Sequence, residues 1–217
     1  MVKTAHGLRV DRDNNIWITD IGHHLVTKFD PQGRVLLTLG KKDQPGEGTD
    51  QFKKPTDVAI ARSGDIYVAD GYGNSRVVQF SKEGKYLRQW EKKGMGPGEF
   101  HLPHAICLDG QGRVYVGDRE NNRGQVFEPD GKFLAQWKDS GAPYGLFLAS
   151  GARMLIADGR ANAVRVLDGK GKVLGRWGEK GSGLGQFAMP HGICMDSRGV
   201  IYVAEVNGQR VQKFVPR

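Results

Sequence analysis

Three histidines stand at the start of closely similar segments that are far apart in the chain. His6 begins His-Gly-Leu-Arg-Val-Asp, His104 begins His-Ala-Ile-Cys-Leu-Asp, and His191 begins His-Gly-Ile-Cys-Met-Asp. Neutral imidazoles bind Zn²⁺ well, and three of them leave a fourth position for water or a substrate. If the fold brings the three positions together, these residues predict a zinc site of the open, catalytic type. The alternative is that histidine is simply tolerated at the start of a duplicated segment.

Two further side chains could add acid–base and charge chemistry. Tyr72 lies in Asp70-Gly-Tyr-Gly-Asn-Ser-Arg76, where one residue more than in the matching segments predicts a bulge that projects the tyrosine. Arg119 directly follows Asp118. A phenol beside a dication can act as a base, and a guanidinium can hold a carboxylate. A tyrosine and an arginine on ordinary surface loops are the alternative, and the residues alone leave both interpretations open.

The elements that must position these side chains are five sequence repeats, which begin near residues 6, 56, 104, 144 and 191. Each repeat opens with a segment that alternates between apolar and polar residues, as a half-buried strand does. Fourteen residues after each start comes an acidic residue that ends a second strand: Asp20, Asp70, Asp118, Asp158 and Glu205. A third strand follows in every repeat, and a fourth in all but the last.

Four short strands in each repeat of about 40 to 50 residues are typical of a propeller blade. The sequence therefore predicts an all-β propeller of four-stranded blades, in a single domain that spans residues 1–217. Its fifth blade is incomplete because the chain reaches Arg217 soon after the third strand. The first strand of each blade lines the central channel, so the three histidines should converge there. An incomplete blade has an unpaired edge, which could recruit a second copy of the chain.

Composition narrows the class of protein. The 217 residues include 32 Gly and 9 Pro, which favours many turns and excludes long helices. No apolar run approaches the roughly 20 residues of a membrane-spanning helix, and residues 1–5 show no secretory signal. The net charge of +8 is spread along the chain, which favours a solvated surface over a nucleic-acid footprint. Cys107 and Cys194 are too few for a disulfide framework and are interpreted as packed thiols.

The repeats resemble the NHL class of propeller, through Asp70-Gly-Tyr-Gly-Asn-Ser-Arg-Val77 and Asp118-Arg-Glu-Asn-Asn-Arg123. More specifically, Pro103-His104, Met189-Pro190-His191 and His6-Gly7-Leu8 resemble the zinc-ligand motifs of the lyase domain of the peptidylglycine α-amidating enzyme and its bacterial relatives. Those proteins are six-bladed propellers with a central zinc. The resemblance implies zinc ligands at His6, His104 and His191. It also implies a catalytic tyrosine at Tyr72, an active-site arginine at Arg119 and a pocket-lining methionine at Met189.

The resemblance also implies a reaction. The lyases cleave a peptidyl-α-hydroxyglycine into a peptide amide and glyoxylate, so the expected substrate is a peptide or small molecule with a terminal hydroxyglycine. Tyr72, as a tyrosinate, would remove the hydroxyl proton, zinc would polarise the hydroxyl group, and Arg119 would steady the carboxylate or the developing charge.

Three departures from the family pattern limit what carries over. Five repeats are one fewer than six blades, and residues 1–5 hold no counterpart of the catalytic arginine of the family's first blade. The acid that serves a structural calcium in animal members is replaced by Gly192, so calcium is not expected. Animal members act in the secretory pathway, but the compartment of this chain is left open.

Two other functions compete with the lyase. One is a non-catalytic NHL propeller that serves as a scaffold for protein or RNA. The other is a lactonase-like hydrolase, which ranks last because no acidic residue recurs at the register of the histidines.

Overall fold

The computed structural model describes residues 1–216 and shows a propeller of five antiparallel sheets, as predicted. Arg217, the last residue of the predicted domain, lies outside the described residues. Strands pair in chain order within each blade. Blades 1 to 3 contain β1 (Ala5–Val10), β2 (Ile16–Asp20), β3 (Leu25–Phe29), β4 (Val35–Leu39), β5 (Asp57–Ile60), β6 (Ile66–Asp70), β7 (Arg76–Phe80), β8 (Tyr86–Glu91), β9 (Pro103–Leu108), β10 (Val114–Asp118), β11 (Arg123–Phe127) and β12 (Phe133–Trp137). Blades 4 and 5 contain β13 (Pro143–Ala149), β14 (Arg153–Asp158), β15 (Ala163–Leu167), β16 (Val173–Trp177), β17 (Pro190–Met195), β18 (Ile201–Glu205) and β19 (Arg210–Phe214).

The fifth blade has three strands, so the prediction of an incomplete last blade is confirmed. Helical structure within residues 1–216 is limited to two short 3₁₀ turns, Lys138–Ser140 and Ser150–Ala152. None of this helical structure is long or apolar enough to cross a membrane.

The hydrophobic core lies between neighbouring blades. Between blades 1 and 2, for example, Trp17 and Val26 pack with Val58, Val68 and Val78, and all five side chains are buried. Similar clusters fill the spaces between blades 2 and 3, 3 and 4, and 4 and 5. Neighbouring blades cover both faces of an inner blade, so β6 and β10 are buried along their whole length. The expectation of half-buried first strands is therefore wrong for blades 2 to 4, where β5, β9 and β13 each begin with a run of buried residues.

Within residues 1–216, blades 1 and 5 each have one face that no neighbouring blade covers. Leu8 and Val10 of blade 1 are 58% and 60% exposed. In blade 5, Val206, which follows β18, and Val211 of β19 are 50% and 64% exposed. A cavity of about 430 Å³ is lined by residues of both blades. We refer to this opening between blades 5 and 1 as the wedge.

An ion pair with a buried carboxylate recurs in each blade from the second to the fifth. The acid that ends the second strand pairs with an arginine of the third strand, which is the first residue of that strand in blades 2, 3 and 5 and the third residue in blade 4. These pairs are Asp70–Arg76 (3.0 Å), Asp118–Arg123 (2.9 Å), Asp158–Arg165 (2.8 Å) and Glu205–Arg210 (2.7 Å). Each carboxylate also accepts a backbone N–H from the loop before its blade. The repeated acid therefore fastens that loop to the sheet.

In blade 1 the loop before the blade is attached to the sheet without an arginine. Its acid, Asp20, accepts hydrogen bonds from the backbone N–H groups of Lys3, Thr4, Gly22 and His23. These bonds favour the ionised form, and they hold the pKa of Asp20 below its usual value although partial burial acts to raise it. The segment that leads into β1, and so to His6, is fixed by these contacts.

Candidate metal and catalytic site

The three histidines of the repeat register meet on the axis of the propeller. His6 lies on β1, His104 on β9 and His191 on β17, the innermost strands of blades 1, 3 and 5. Every pair of ring centroids is 4.9 Å apart, and one ring nitrogen from each histidine lies within 4.8 Å of the other two. His104 is buried, and the other two are half-buried.

The equal spacing of the rings shows how the blades are arranged. In a ring of five evenly spaced blades, the first and fifth would be neighbours, so their histidines would be closer together than the other pairs. Equal distances are what alternate positions of a six-position ring give. The wedge between blades 5 and 1 leads to the histidines, since all three line its cavity.

Backbone carbonyl groups orient two of the imidazole rings. His6 Nδ1 lies 2.6 Å from the carbonyl oxygen of Thr56, and His104 Nδ1 lies 2.8 Å from that of Tyr144. Because a carbonyl oxygen can only accept, the hydrogen of each ring must be on Nδ1. This leaves the lone pair of Nε2 free to face the axis, the arrangement that metal-ligating histidines commonly adopt.

The surroundings keep all three imidazoles neutral. Burial lowers the pKa of His6, and the nearby positive charge of Arg119 lowers it further. Burial and the neighbouring imidazoles lower the pKa of His104 well below its usual value, and burial and His6 lower that of His191 to about 4. Metal binding requires the neutral form of histidine. The cluster therefore offers three unprotonated nitrogens at neutral pH.

Tyr72 reaches the same cluster from blade 2. Its hydroxyl oxygen lies 3.1 Å from His6 Nε2 and 3.1 Å from His104 Nε2. The loop that carries it spans residues 71–75, one residue longer than the matching loop of blade 3, as the sequence predicted. Burial raises the pKa of Tyr72, and the positive charge of Arg119 acts in the opposite direction. A further positive charge at the cluster would favour the phenolate.

Arg119 is held above two aromatic rings. Its guanidinium carbon lies 5.4 Å from the ring centroid of Tyr72 and 4.8 Å from that of Tyr144. Its Nε donates to Glu120 at 2.9 Å, and Glu120 also pairs with Arg160 of blade 4. These contacts fix a cation beside the histidines, with its charge partly balanced by one carboxylate.

Met189 lies two residues before His191, in the turn that leads into β17. It is half-buried in a turn with φ of 61°, and its N–H donates to Asn162 at 2.9 Å.

The two cysteines differ in how far their side chains are buried. Cys107 packs against Met154, with 3.9 Å between the sulfur atoms, whereas Cys194 is exposed. The interpretation of Cys194 as a packed thiol is wrong because Cys194 lines the wedge cavity.

Sequence reasoning missed two groups beside the histidines. Tyr144 stands at the same register in the fourth repeat, and its ring lies 5.3 Å from that of His104 and 5.5 Å from that of His191. Its position in the repeat was the available signal. The second group is the ion pair of Arg9 and Asp57, at 2.5 Å, which joins blades 1 and 2 just after the histidine register.

The residues present fit a zinc ion by the chemistry of the donor set. Three neutral imidazoles converge, two of them held by their other nitrogen, and no carboxylate ligand belongs to the cluster found among residues 1–216. A site with three protein ligands keeps one coordination position open, as catalytic zinc sites do.

Comparison with known proteins agrees with this architecture. Residues 3–29 and 187–214 match the NHL repeat, and residues 47–134 match a family described as a 6-bladed beta-propeller. Peptidylglycine alpha-amidating monooxygenase of Rattus norvegicus is 34% identical over 96% of this chain and 23% of its own length. Peptidyl-alpha-hydroxyglycine alpha-amidating lyase 1 of Drosophila melanogaster is 35% identical over 98% of this chain and 44% of its own length.

A third relative matches over more of its own length. NHL repeat-containing protein 3 of Mus musculus is 31% identical, over 99% of this chain and 67% of that protein. Among solved structures, a streptogramin B lyase superposes with a TM-score of 0.71 at 16% identity, covering 98% of this chain and 70% of the other. That likeness concerns the fold alone. The chain thus spans about a quarter of the rat enzyme and less than half of the fly lyase.

The fold and the site define an NHL-repeat β-propeller with a central cluster of histidines. The chain belongs to the family of NHL-repeat propellers that includes the amidating lyases and NHL repeat-containing protein 3.

Proposed function

We propose that the chain is a zinc-dependent lyase that cleaves a peptidyl-α-hydroxyglycine, or a related N-acyl hydroxyglycine, to an amide and glyoxylate. One observation carries this proposal: the hydroxyl group of Tyr72 lies within 3.1 Å of Nε2 of both His6 and His104, two members of the three-histidine cluster. A metal-binding set and a proton acceptor therefore share one position. The fly relative that is 35% identical is named as a lyase of this kind.

In this proposal His6, His104 and His191 would hold the zinc ion, with Nε2 as the donor in His6 and His104 because their Nδ1 atoms face carbonyl oxygens. When bound, zinc acts as a Lewis acid toward the hydroxyl group of the substrate. The carbonyl groups of Thr56 and Tyr144 keep two of the rings in the tautomer that binds metal.

Tyr72 is the proposed base. As the phenolate, it takes the proton of the substrate hydroxyl. The C–N bond then breaks, the carbonyl group of glyoxylate forms, and the phenol of Tyr72 returns the proton to the departing amide nitrogen. Arg119 is the proposed partner of the substrate carboxylate, since its guanidinium is already held over the ring of Tyr72. Its charge also opposes the effect of burial on the pKa of Tyr72. Met189, two residues before His191, is retained as a proposed pocket residue.

The test is release of glyoxylate from a synthetic peptidyl-α-hydroxyglycine by the zinc-loaded protein. We expect Tyr72→Phe to lose about 100-fold or more in kcat, the usual scale for removing a general base. Tyr86→Phe, at an exposed tyrosine on β8, is the matched control and should behave like the wild type. Equal rates for the wild type and Tyr72→Phe would exclude this chemistry.

A second candidate function is a non-catalytic scaffold for protein. The apolar side chains exposed along the wedge favour it, as does the match to NHL repeat-containing protein 3 over two thirds of that protein. Self-association through this opening is the simplest form. Sedimentation analysis of the wild type and of Val211→Asp tests it, and a monomer at every concentration would count against self-association. If the scaffold instead binds RNA, the affinity for RNA should fall steeply as the salt concentration rises.

A further inference from the structure

Asp57 is a charged residue on the innermost strand of blade 2. It stands one residue after the histidine register of blade 2, where the other four repeats have only glycine or alanine: Gly7, Ala105, Gly145 and Gly192. Its side chain is buried, yet it carries a carboxylate that the proposed reaction does not use. A buried carboxylate is costly unless its oxygens are paired, so its partners indicate what it does.

Those partners come from three blades. Asp57 Oδ2 accepts a hydrogen bond from Arg9 Nη2 of blade 1 at 2.5 Å and another from the backbone N–H of Ile106 of blade 3 at 3.0 Å. Its Oδ1 accepts from the N–H of Val58, in its own blade, at 2.9 Å. Arg9 shares β1 with His6, and Ile106 shares β9 with His104. One carboxylate therefore links the two strands that carry these histidines.

Strand β1 also lies unusually close to β5 at this point. A Cβ atom built on Gly7 would lie 2.8 Å from the carbonyl oxygen of Thr56 and 2.9 Å from Asp57 Oδ1. That carbonyl of Thr56 is the one that accepts from His6 Nδ1. Any shift of β1 away from β5 would therefore lengthen the contact that orients the imidazole of His6.

We propose that Asp57 and Arg9 are positioning residues for the histidine cluster: their ion pair holds β1 and β9 at the separation at which His6 and His104 face each other across the axis. The proposal rests on the proposed zinc function for its metal readout. It also predicts an effect on the metal-free protein, because the carbonyl contact of His6 exists without metal.

The experiment compares four variants of the full chain. Asp57→Ala places at residue 57 the side chain that blade 3 has at Ala105, and Asp57→Asn keeps the shape but removes the charge. Arg9→Met removes the cation, and Arg9→Lys keeps it. Arg34→Met is the matched control, because Arg34 pairs with Asp30 inside a single turn of blade 1 and joins no two blades.

Three measurements are made on each protein. Zinc affinity is measured by competition with a chromophoric chelator, and the Co²⁺ form gives an absorption spectrum that reports ligand geometry. Imidazole ¹⁵N shifts of the metal-free protein report whether the hydrogen of His6 stays on Nδ1. We expect Arg9→Met and Asp57→Ala to weaken zinc binding about 10- to 100-fold, the usual range for groups that orient metal ligands. The same variants should alter the Co²⁺ spectrum and give mixed tautomers at His6.

Arg9→Lys should bind zinc close to the wild-type affinity, and Arg34→Met should not differ from the wild type. A loss of thermal stability in Arg9→Met and Asp57→Asn with unchanged zinc affinity, spectrum and tautomer would overturn the proposal and leave the pair a purely structural one. If Asp57→Ala does not fold, Asp57→Asn and Arg9→Met decide. If the wild type binds no zinc, the proposed function fails, whereas the tautomer of His6 still decides the positioning role.

Discussion

The low pKa of His191 makes the stability of the metal-free protein depend on pH in a calculable way. Unfolded histidine has its usual pKa of 6.5, whereas burial and the nearby His6 lower the pKa of His191 in the folded chain to about 4. Between these values the unfolded chain binds a proton that the folded chain does not. The stabilising contribution is therefore fully present above pH 6.5 and is lost as the pH falls toward 4.

The magnitude follows from the size of the shift. At about 1.4 kcal/mol for each unit of pKa, a fall from 6.5 to about 4 corresponds to about 3 kcal/mol at most, and solvent around this half-buried ring reduces that figure. His191→Gln removes the titration but keeps a polar side chain of similar size. The free energy of unfolding should therefore fall less steeply with acid in the variant than in the wild type.

The assay is urea unfolding in the presence of a chelator at pH 7, 6, 5 and 4. The difference between the wild type and His191→Gln is the informative quantity, since the carboxylates titrate equally in both proteins. His101→Gln, at an exposed loop histidine, is the control and should follow the wild-type curve. A constant difference between the wild type and His191→Gln from pH 7 to pH 4 would refute the argument that the histidine cluster is kept neutral by burial.

Three further predictions test other parts of the structure. Arg123→Met leaves the buried carboxylate of Asp118 without its cation and should cost about 3 to 5 kcal/mol in urea unfolding. Arg198→Met, at a solvent-exposed arginine that pairs with Asp196, should cost under about 1 kcal/mol, and equal costs would contradict the role given to the buried ion pair. Tyr144→Leu removes a cation–π contact with Arg119 and should lower kcat/KM for glyoxylate release about fivefold, whereas Tyr144→Phe should keep the wild-type value. Gly7→Ala should destabilise the protein by about 1 to 3 kcal/mol because of the nearby Thr56 carbonyl, whereas Gly175→Ala, with open space around it, should not.

Much of the fold could be predicted from local pattern. The apolar run of Ile66–Asp70 and the acid at a constant offset in every repeat are properties of single segments, and so they are visible in the sequence. The role of that acid was not visible. Asp70 meets Arg76 only because β6 and β7 pair in a register that places them opposite each other.

The candidate site could also be predicted only in part from the sequence. His6, His104 and His191 share a register, so the repeat alone predicted that they would converge. Contacts between blades could not be predicted, because neither the link from Asp57 to Arg9 and Ile106 nor the stacking of Arg119 on Tyr144 has a local sequence signal. Cys194 was misinterpreted for a related reason, since its exposure depends on the opening between blades 5 and 1.

The central claim is that the three histidines form a zinc site, and zinc content tests it most directly. The protein is loaded with zinc, freed of excess metal and measured by mass spectrometry, together with His104→Ala and the loop control His101→Ala. We predict stoichiometric zinc in the wild type and in His101→Ala and its loss in His104→Ala, whose imidazole is the most buried of the cluster. A wild type without zinc, or stoichiometric zinc in His104→Ala, would contradict the account.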